Sequence, residues 1–170
     1  FLNTKDFDYN LPAELIAQTP TEPRDHSRLM TLSRTDNSTH HSNFFELPNY
    51  LEQGDVLVFN DSRVFPARLK GVRTKTGGKI ELLLLNQLSP GLWRALARPG
   101  RSMREGASFK VANREYTLSG EVTQVNTDGT RVVKLSDDRL LKILGVMPLP
   151  PYIRQPLNDL ERYQTVYTRV

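Results

Sequence analysis

The densest cluster of polar side chains in this 170-residue sequence is Asn60–Asp61–Ser62–Arg63, which directly follows the apolar run Val56–Phe59. Polar groups at the carboxyl end of a buried strand are a common place for a site in α/β proteins. Asp61 can act as a general base, and the amide and hydroxyl beside it can hydrogen-bond a ligand. The arginine that ends the cluster, together with Arg68, can hold a carboxylate or a phosphate. An Asx turn with surface arginines is the alternative, and spacing alone favours it.

A second candidate is a section of the chain with a large excess of basic side chains. Residues 65–120 hold eleven basic and three acidic side chains, residues 1–64 hold five and ten, and residues 121–170 hold seven and six. Such an excess is typical of a surface that binds a polyanion, because each Lys or Arg that meets a phosphate releases a condensed counterion. A solvated basic surface explains the charge equally well. The candidate phosphate-binding residues are Lys79, Arg98, Arg101 and Arg104.

Aromatic side chains form a third candidate near the end of the sequence. Tyr152, Tyr163 and Tyr167 occur with Gln164 in this region and can stack on a base or a nucleoside. The alternative is that Tyr163, Val166 and Tyr167, which lie at helical spacing, simply pack against the rest of the protein.

Composition excludes several kinds of site. The chain has no cysteine, so it has no disulfide, no thiolate metal site and no cysteine nucleophile. Its three histidines, His26, His40 and His41, lack metal-ligand spacing, and we expect no metal. No apolar run approaches the roughly 20 residues of a membrane span. The opening segment carries charges and aromatic residues, unlike a secretory signal, so we expect a cytoplasmic protein.

Turn-forming residues separate short strand-like runs through the middle of the sequence. This pattern is typical of a small antiparallel barrel or sandwich. Trp93 lies on the third of these runs and is more typical of a core than of a base-stacking platform. The predicted strands are Arg68–Arg73, Lys79–Leu88, Leu92–Ala97, Ser108–Ala112, Glu115–Val125 and Thr130–Leu135.

The flanking regions have a mixed pattern. We predict a helix that begins at Asn10, a hairpin that pairs residues 28–33 with residues 39–45, and a buried strand at Val56–Phe59. After the last strand, a short helix at Arg139–Leu144 is expected, with Asp137 or Asp138 as its cap. The predicted fold is therefore an α/β (α+β) domain, formed by residues 1–65 and 137–170, with an all-β insert at residues 66–136.

Several motifs in this order resemble the N-terminal part of the S-adenosylmethionine:tRNA ribosyltransferase-isomerase family of queuosine synthesis. The resemblance extends over nearly all 170 residues and includes the opening Asp6–Tyr9 segment. The blocks that carry it are Val58–Val64, Pro66–Leu69, Gly77–Glu81, Arg98–Gly100, Met147–Ile153 and Arg162–Tyr167.

The resemblance implies a fold, a reaction and a set of site residues. The implied fold is an incomplete α/β domain that carries an inserted antiparallel six-stranded β-barrel. Such enzymes move the ribosyl part of S-adenosylmethionine onto 7-aminomethyl-7-deazaguanine at the tRNA wobble position and rearrange it to give epoxyqueuosine. Adenine and methionine leave. Asn60, Asp61, Ser62 and Arg63 are then expected to form the catalytic wall, with Asp61 as the base.

The remaining candidates follow from the same resemblance. We expect Arg68, Tyr152, Tyr163, Gln164 and Tyr167 to bind S-adenosylmethionine or the modified nucleoside, and the four candidate phosphate-binding residues to hold tRNA. A non-catalytic RNA-binding barrel is the alternative function.

The sequence departs from the family pattern in two places. Val146 stands where many members have His, which removes one possible acid/base group. The sequence stops at Val170, before a further segment and a C-terminal half that members of the family contain. We expect no turnover from residues 1–170 alone, and we expect a monomer.

Overall fold

A computed structural model describes residues 2–156 and 159–168. Its backbone contacts divide the chain into two compact units. We call Phe1–Ser62 with Pro150–Val170 the mixed unit, and Arg63–Leu149 the barrel unit. The domain boundaries at residues 65/66 and 136/137 that the sequence suggests stay a prediction.

Six strands of the barrel unit form a closed barrel in which every neighbouring pair is antiparallel. The strands are β3 (Arg68–Arg73), β4 (Lys79–Ser89), β5 (Leu92–Arg98), β6 (Ser108–Ala112), β7 (Thr117–Val125) and β8 (Arg131–Leu135). Their order around the barrel is β3-β4-β5-β8-β7-β6, and β6 closes onto β3. This confirms the predicted barrel.

The barrel is filled by side chains that alternate along each strand. In β6, for example, Phe109 and Val111 are buried whereas Lys110 between them is exposed. This alternation is the pattern of a strand with one face in a core and the other in solvent. Trp93 packs against the core cluster and donates its Nε1–H to Asp138 at 2.8 Å, in agreement with its predicted core role.

Two close approaches explain why glycine stands at two barrel positions. A Cβ on Gly120 of β7 would lie 2.4 Å from Cζ of Phe109, so the missing side chain makes room for that ring. A Cβ on Gly71 of β3 would lie 2.3 Å from the carbonyl oxygen of Lys110, across the β3–β6 pair that closes the barrel. Neither contact is possible for a residue with a side chain unless the strands move.

A short helical segment follows the last barrel strand. A 3-10 turn at Asp138–Leu140 leads into α1 (Leu141–Leu144), and the carboxylate of Asp137 caps the turn by accepting the backbone N–H of Arg139. Leu141 and Leu144 belong to the barrel core. The predicted helix is therefore present, although its first turn is 3-10 rather than α.

The mixed unit contains a two-stranded sheet of β1 (Arg28–Leu32) and β2 (Thr39–Asn43), as the hairpin prediction expects. The helix predicted from Asn10 is reduced to one 3-10 turn. The 3-10 segments of this unit are Thr4–Phe7, Ala13–Leu15, Arg24–His26, Phe44–Tyr50 and Leu160–Tyr163, and the barrel unit has a further one at Gly100–Ser102.

The predicted buried strand at Val56–Phe59 is wrong. The segment has no regular secondary structure, and Val58 is 91% exposed. A strand is stable only when a neighbouring strand takes up its backbone hydrogen bonds. No strand in the described part of the chain pairs with this segment. Its apolar pattern therefore signals a preference for burial that these residues do not meet by themselves.

Candidate functional site

The Asn60–Arg63 cluster forms a polar turn. The side-chain oxygen Oδ1 of Asn60 accepts the backbone N–H of Ser62 at 2.9 Å, which is the Asx turn weighed as the alternative to a site. Asn60, Asp61 and Ser62 are all exposed. The turn fixes the backbone on both sides of Asp61, so the carboxylate is presented to solvent from a defined loop. An Asx turn and a site are compatible here.

A ring contact brings the tyrosine region to this turn. Phe59, the residue before Asn60, packs against Tyr167 with ring centroids 5.1 Å apart and an interplanar angle of 67°. Edge-to-face aromatic pairs are favourable at this distance. The contact joins two of the three sequence-derived candidates within the mixed unit.

The spacing of Tyr163, Val166 and Tyr167 does not produce a helix, because the 3-10 turn ends at Tyr163. Val166 is exposed, whereas Tyr167 packs against Phe59 as the packing alternative expects for that residue. The binding role of these tyrosines stays a prediction.

Arg24 anchors the segment that carries these tyrosines. Its Nη1 donates to the carbonyl oxygen of Gln164 at 2.6 Å, and its Nη2 donates to the carbonyl oxygen of Arg162. Arg162 in turn pairs with Glu22. Gln164 is 4% exposed, so it is the most buried of the candidate site residues. No motif or spacing in the sequence indicates Arg24, because its partners are carbonyl groups 138 and 140 residues away.

Tyr152 lies at a separate small groove of the mixed unit. The side-chain amide of Gln18 donates to the carbonyl oxygen of Tyr152 at 3.0 Å and accepts the backbone N–H of Arg154 at 2.8 Å. A groove of about 360 Å³ lies here, and its lining includes Glu14 and Arg154 as well as the Tyr152 ring. Gln18 is a positioning residue that the sequence analysis missed.

The two arginines of the first candidate belong to the barrel unit. The boundary between the units falls between Ser62 and Arg63. Arg68 begins β3, and its Nε lies 3.7 Å from a carboxylate oxygen of Glu81 on β4. Its backbone also pairs with Val146, whose N–H donates to the carbonyl oxygen of Arg68 at 2.8 Å.

The four candidate phosphate-binding residues are all exposed, but they occupy two places. Lys79 and Arg98 lie on the outer face of the barrel and line one groove. Arg101 and Arg104 lie on the loop after β5, where Nε of Arg104 donates to the carbonyl oxygen of Arg101 at 3.1 Å. Two further lysines, Lys70 and Lys110, line the groove and were missed by the sequence analysis.

The shifted carboxyl pKa values lie in turns and at a helix cap, not in the candidate site. Hydrogen bonds from Thr130 lower the pKa of Asp128 to about 2, and hydrogen bonds from Ser33 and Ser38 lower the pKa of Asp36 to about 2. A hydrogen bond from Arg139 lowers the pKa of Asp137. The hydrogen bonds that cause these shifts stabilise two turns and the helix cap.

Two features are absent from the described residues. They contain no group of three or more His, Asp or Glu side chains arranged to hold a metal ion. Among the helices they form, none has the length and apolarity needed to cross a membrane.

Comparison with known proteins identifies the family. Residues 4–170 match the model of a family described as queuosine biosynthesis protein. The chain belongs to this family. It is 47% identical over 168 residues to the S-adenosylmethionine:tRNA ribosyltransferase-isomerase of Dehalococcoides mccartyi, a match that covers 98% of this chain and 49% of the relative. A relative of the same name from Acetivibrio thermocellus is 44% identical over 172 residues, which cover 99% of this chain and 50% of the relative.

The chain therefore spans about half the length of the curated queuosine-family relatives that it matches. A solved structure is also similar, the crystal structure of S-adenosylmethionine tRNA ribosyltransferase from Thermotoga maritima. It is 45% identical, the match covers 82% of this chain and 48% of that chain, and the TM-score is 0.41.

Proposed function

We propose that this chain supplies part of the active site and of the tRNA-binding surface of a ribosyltransferase-isomerase that acts in the cytoplasm. The reaction transfers the ribosyl moiety of S-adenosylmethionine to 7-aminomethyl-7-deazaguanine at the tRNA wobble position and isomerises it to give epoxyqueuosine. Adenine and methionine are released. The family match and the names of the relatives support this assignment.

The observation that best supports a functional site in this chain is the contact between Phe59 and Tyr167. It brings a polar turn with a carboxylate next to a segment with aromatic rings and a buried amide, Gln164. A carboxylate can act as a base, an amide can hydrogen-bond a ligand, and aromatic rings can stack on a base or a nucleoside.

The chemistry gives each residue a role. The sulfonium makes the neighbouring carbon-bound protons acidic, so a base is needed, and Asp61 is our candidate. Asn60 and Ser62 hold the loop and hydrogen-bond the substrate. The substrate amine must be held close and unprotonated. Departing adenine needs a hydrogen-bond donor, for which Tyr163 and Tyr167 supply hydroxyl groups.

Binding of S-adenosylmethionine is assigned to residues with complementary groups. Arg63 and Arg68 belong to the barrel unit, and their role in this binding stays a prediction. The residues that line the groove at Tyr152 include Tyr152 itself, Glu14 and Arg154. These fit a purine, an ammonium and a carboxylate respectively, so the donor set of the mixed unit is compatible with this substrate.

The test is a pair of aspartate variants in an enzyme of the relatives' full length that carries these residues. Asp61→Asn is expected to lower kcat for adenine release by about 100-fold or more, because a general base contributes on that scale. The affinity for tRNA should be unchanged. Asp25→Asn, which changes another exposed aspartate of the mixed unit, is the control and should keep full turnover. Equal turnover in both variants would remove Asp61 as the base.

A non-catalytic RNA-binding barrel is the second candidate function, and the basic groove on the barrel favours it. Binding of tRNA does not separate the two candidates, since both require it. Saturable binding of S-adenosylmethionine does, because a pure RNA-binding module has no use for it.

A further inference from the structure

The outer face of the barrel carries two rows of residues that cross neighbouring strands. In the first row, Val72 of β3 stands between Lys110 of β6 and Lys79 of β4. In the second row, Glu81 of β4 stands between Lys70 of β3 and Arg98 of β5. Each row therefore has one cation on each side of a residue that is not basic. All six residues of these rows line one groove of about 640 Å³.

The spacing of the rows follows from sheet geometry. Neighbouring strands are about 4.8 Å apart, so the two cations of one row emerge about 10 Å apart. The rows are separated by two residues along each strand, which is about 7 Å. The four cations thus frame an elongated groove, and the side chains of their sequence neighbours point into the barrel core. Ile80 and Val111, for example, are buried.

The cations of this groove are not neutralised. Within the described ranges, no acidic group lies at ion-pair distance from Lys70, Lys79, Arg98 or Lys110. The one carboxylate in the groove, that of Glu81, lies nearest to Arg68, at 3.7 Å. Four unpaired cations around one carboxylate attract a polyanion, and ammonium and guanidinium groups bind phosphate oxygens directly.

The floor of the groove decides which part of a polyanion it suits. Besides the four cations and Glu81, the described residues that line it are Gly71, Val72, Ile80 and Ala112. Among these described residues there is no aromatic ring, so the groove offers no surface on which a base can stack. Ile80, the largest apolar residue of this lining, is only 4% exposed, so it does not project far enough to insert into a lipid layer. These features favour contact with a sugar–phosphate backbone, which is recognised without regard to sequence.

We propose that this groove, which we call the barrel groove, binds the phosphodiester backbone of an RNA strand, with Lys70 and Lys110 as contacts in addition to Lys79 and Arg98. The identity of the RNA as tRNA rests on the proposed function. Glu81 lowers the affinity of the groove, because its carboxylate repels the phosphates that the surrounding cations attract.

The experiment measures the affinity of the 170-residue chain for unmodified tRNA as a function of salt. Lys70→Glu and Lys110→Glu should each weaken binding by about tenfold and reduce the salt slope by about one. Glu81→Gln should tighten binding. Lys142→Glu is the matched control, because it makes the same change in net charge at an exposed position on α1, and it should change the affinity less than twofold. Trp93 fluorescence checks that each variant keeps the barrel.

The outcomes separate the proposal from its alternatives. Equal losses in Lys70→Glu, Lys110→Glu and Lys142→Glu would overturn it, because only net charge would then matter. Variants that lose binding to vesicles of equal parts phosphatidylserine and phosphatidylcholine, but keep their tRNA affinity, would overturn it in favour of a lipid surface. Equal losses for tRNA with and without 7-aminomethyl-7-deazaguanine support a backbone contact.

The result is independent of catalysis. If the full-length enzyme releases no adenine while Lys70→Glu and Lys110→Glu still weaken tRNA binding, the proposed function is wrong and RNA binding by the barrel groove is supported. If adenine release is normal and neither variant changes the KM for tRNA, the groove fails and the proposed function stands.

Discussion

The interactions that stabilise the barrel unit internally differ from those that stabilise the mixed unit. The buried apolar side chains of the described residues all lie between Ala67 and Met147, within the barrel unit. Segments of the mixed unit are joined instead by single polar side chains and by ring pairs, such as Arg24 with the carbonyl of Gln164 and Phe59 with Tyr167. The barrel unit therefore has its own hydrophobic core, which is the main source of stability in a small domain.

The two units also differ in charge. The barrel unit holds sixteen basic and seven acidic side chains, whereas the mixed unit holds seven and twelve. A stable basic barrel and an acidic unit with few buried groups suit different tasks. A rigid scaffold can present phosphate contacts at fixed spacing, whereas the mixed unit leaves apolar side chains such as Leu57 and Val58 exposed.

The largest expected effect is on independent folding. A fragment of residues 63–149 should unfold cooperatively at nearly the temperature at which the barrel unfolds in the whole chain, because its core is complete. A peptide of residues 1–62 should show no cooperative transition, since none of its described apolar side chains is buried. Scanning calorimetry measures both, and Trp93, the only tryptophan, reports on the barrel alone. A fragment 63–149 without a transition would remove the contrast between the units.

A smaller effect compares the same substitution in the two units. Leu82 is 0% exposed and Leu57 is 50% exposed. Leu82→Ala should lower the free energy of unfolding by about 2–5 kcal/mol, through lost apolar burial and the cavity it leaves. Leu57→Ala should change it by less than about 0.5 kcal/mol. Urea unfolding followed by circular dichroism tests both, and comparable losses would show that Leu57 is packed as tightly as the barrel core.

The smallest effect is the response of one turn in each unit to acid. Asp36 lies in the β1–β2 turn and Asp128 in the β7–β8 turn, and both have a pKa of about 2 in the folded chain. A depressed folded pKa stabilises the fold above the unfolded value of about 3.9, and this stabilisation is lost as the pH falls from about 4 to 2. Carboxyl chemical shifts in an NMR titration should give a midpoint near 2 for each. A midpoint near 4 for Asp36 alone would show that only the barrel turn is well formed.

The sequence is sufficient to predict the barrel strands because each one is defined by local signals. Alternation along β6 and turn residues such as Gly77 and Gly129, which both have positive φ, mark where strands start and stop. Val56–Phe59 was mispredicted because an apolar run reveals a preference for burial but not the partner that provides it. The barrel groove was only half predicted, since Lys70 and Lys110 join it through cross-strand register, which no local pattern encodes.

The clamp by Arg24 has a consequence for synthesis on the ribosome. The carbonyl that Arg24 binds is 140 residues further along the chain. At about 5–20 residues per second, the ribosome adds that residue about 7–28 s after Arg24. The barrel lies wholly between these two points, and small β-barrels fold in about milliseconds to seconds. All six barrel strands are synthesised before Gln164, because β8 ends at Leu135, 29 residues earlier in the chain. Translation order therefore gives the barrel about 1.5–6 s in which to fold before the first 62 residues can be joined to their C-terminal partners.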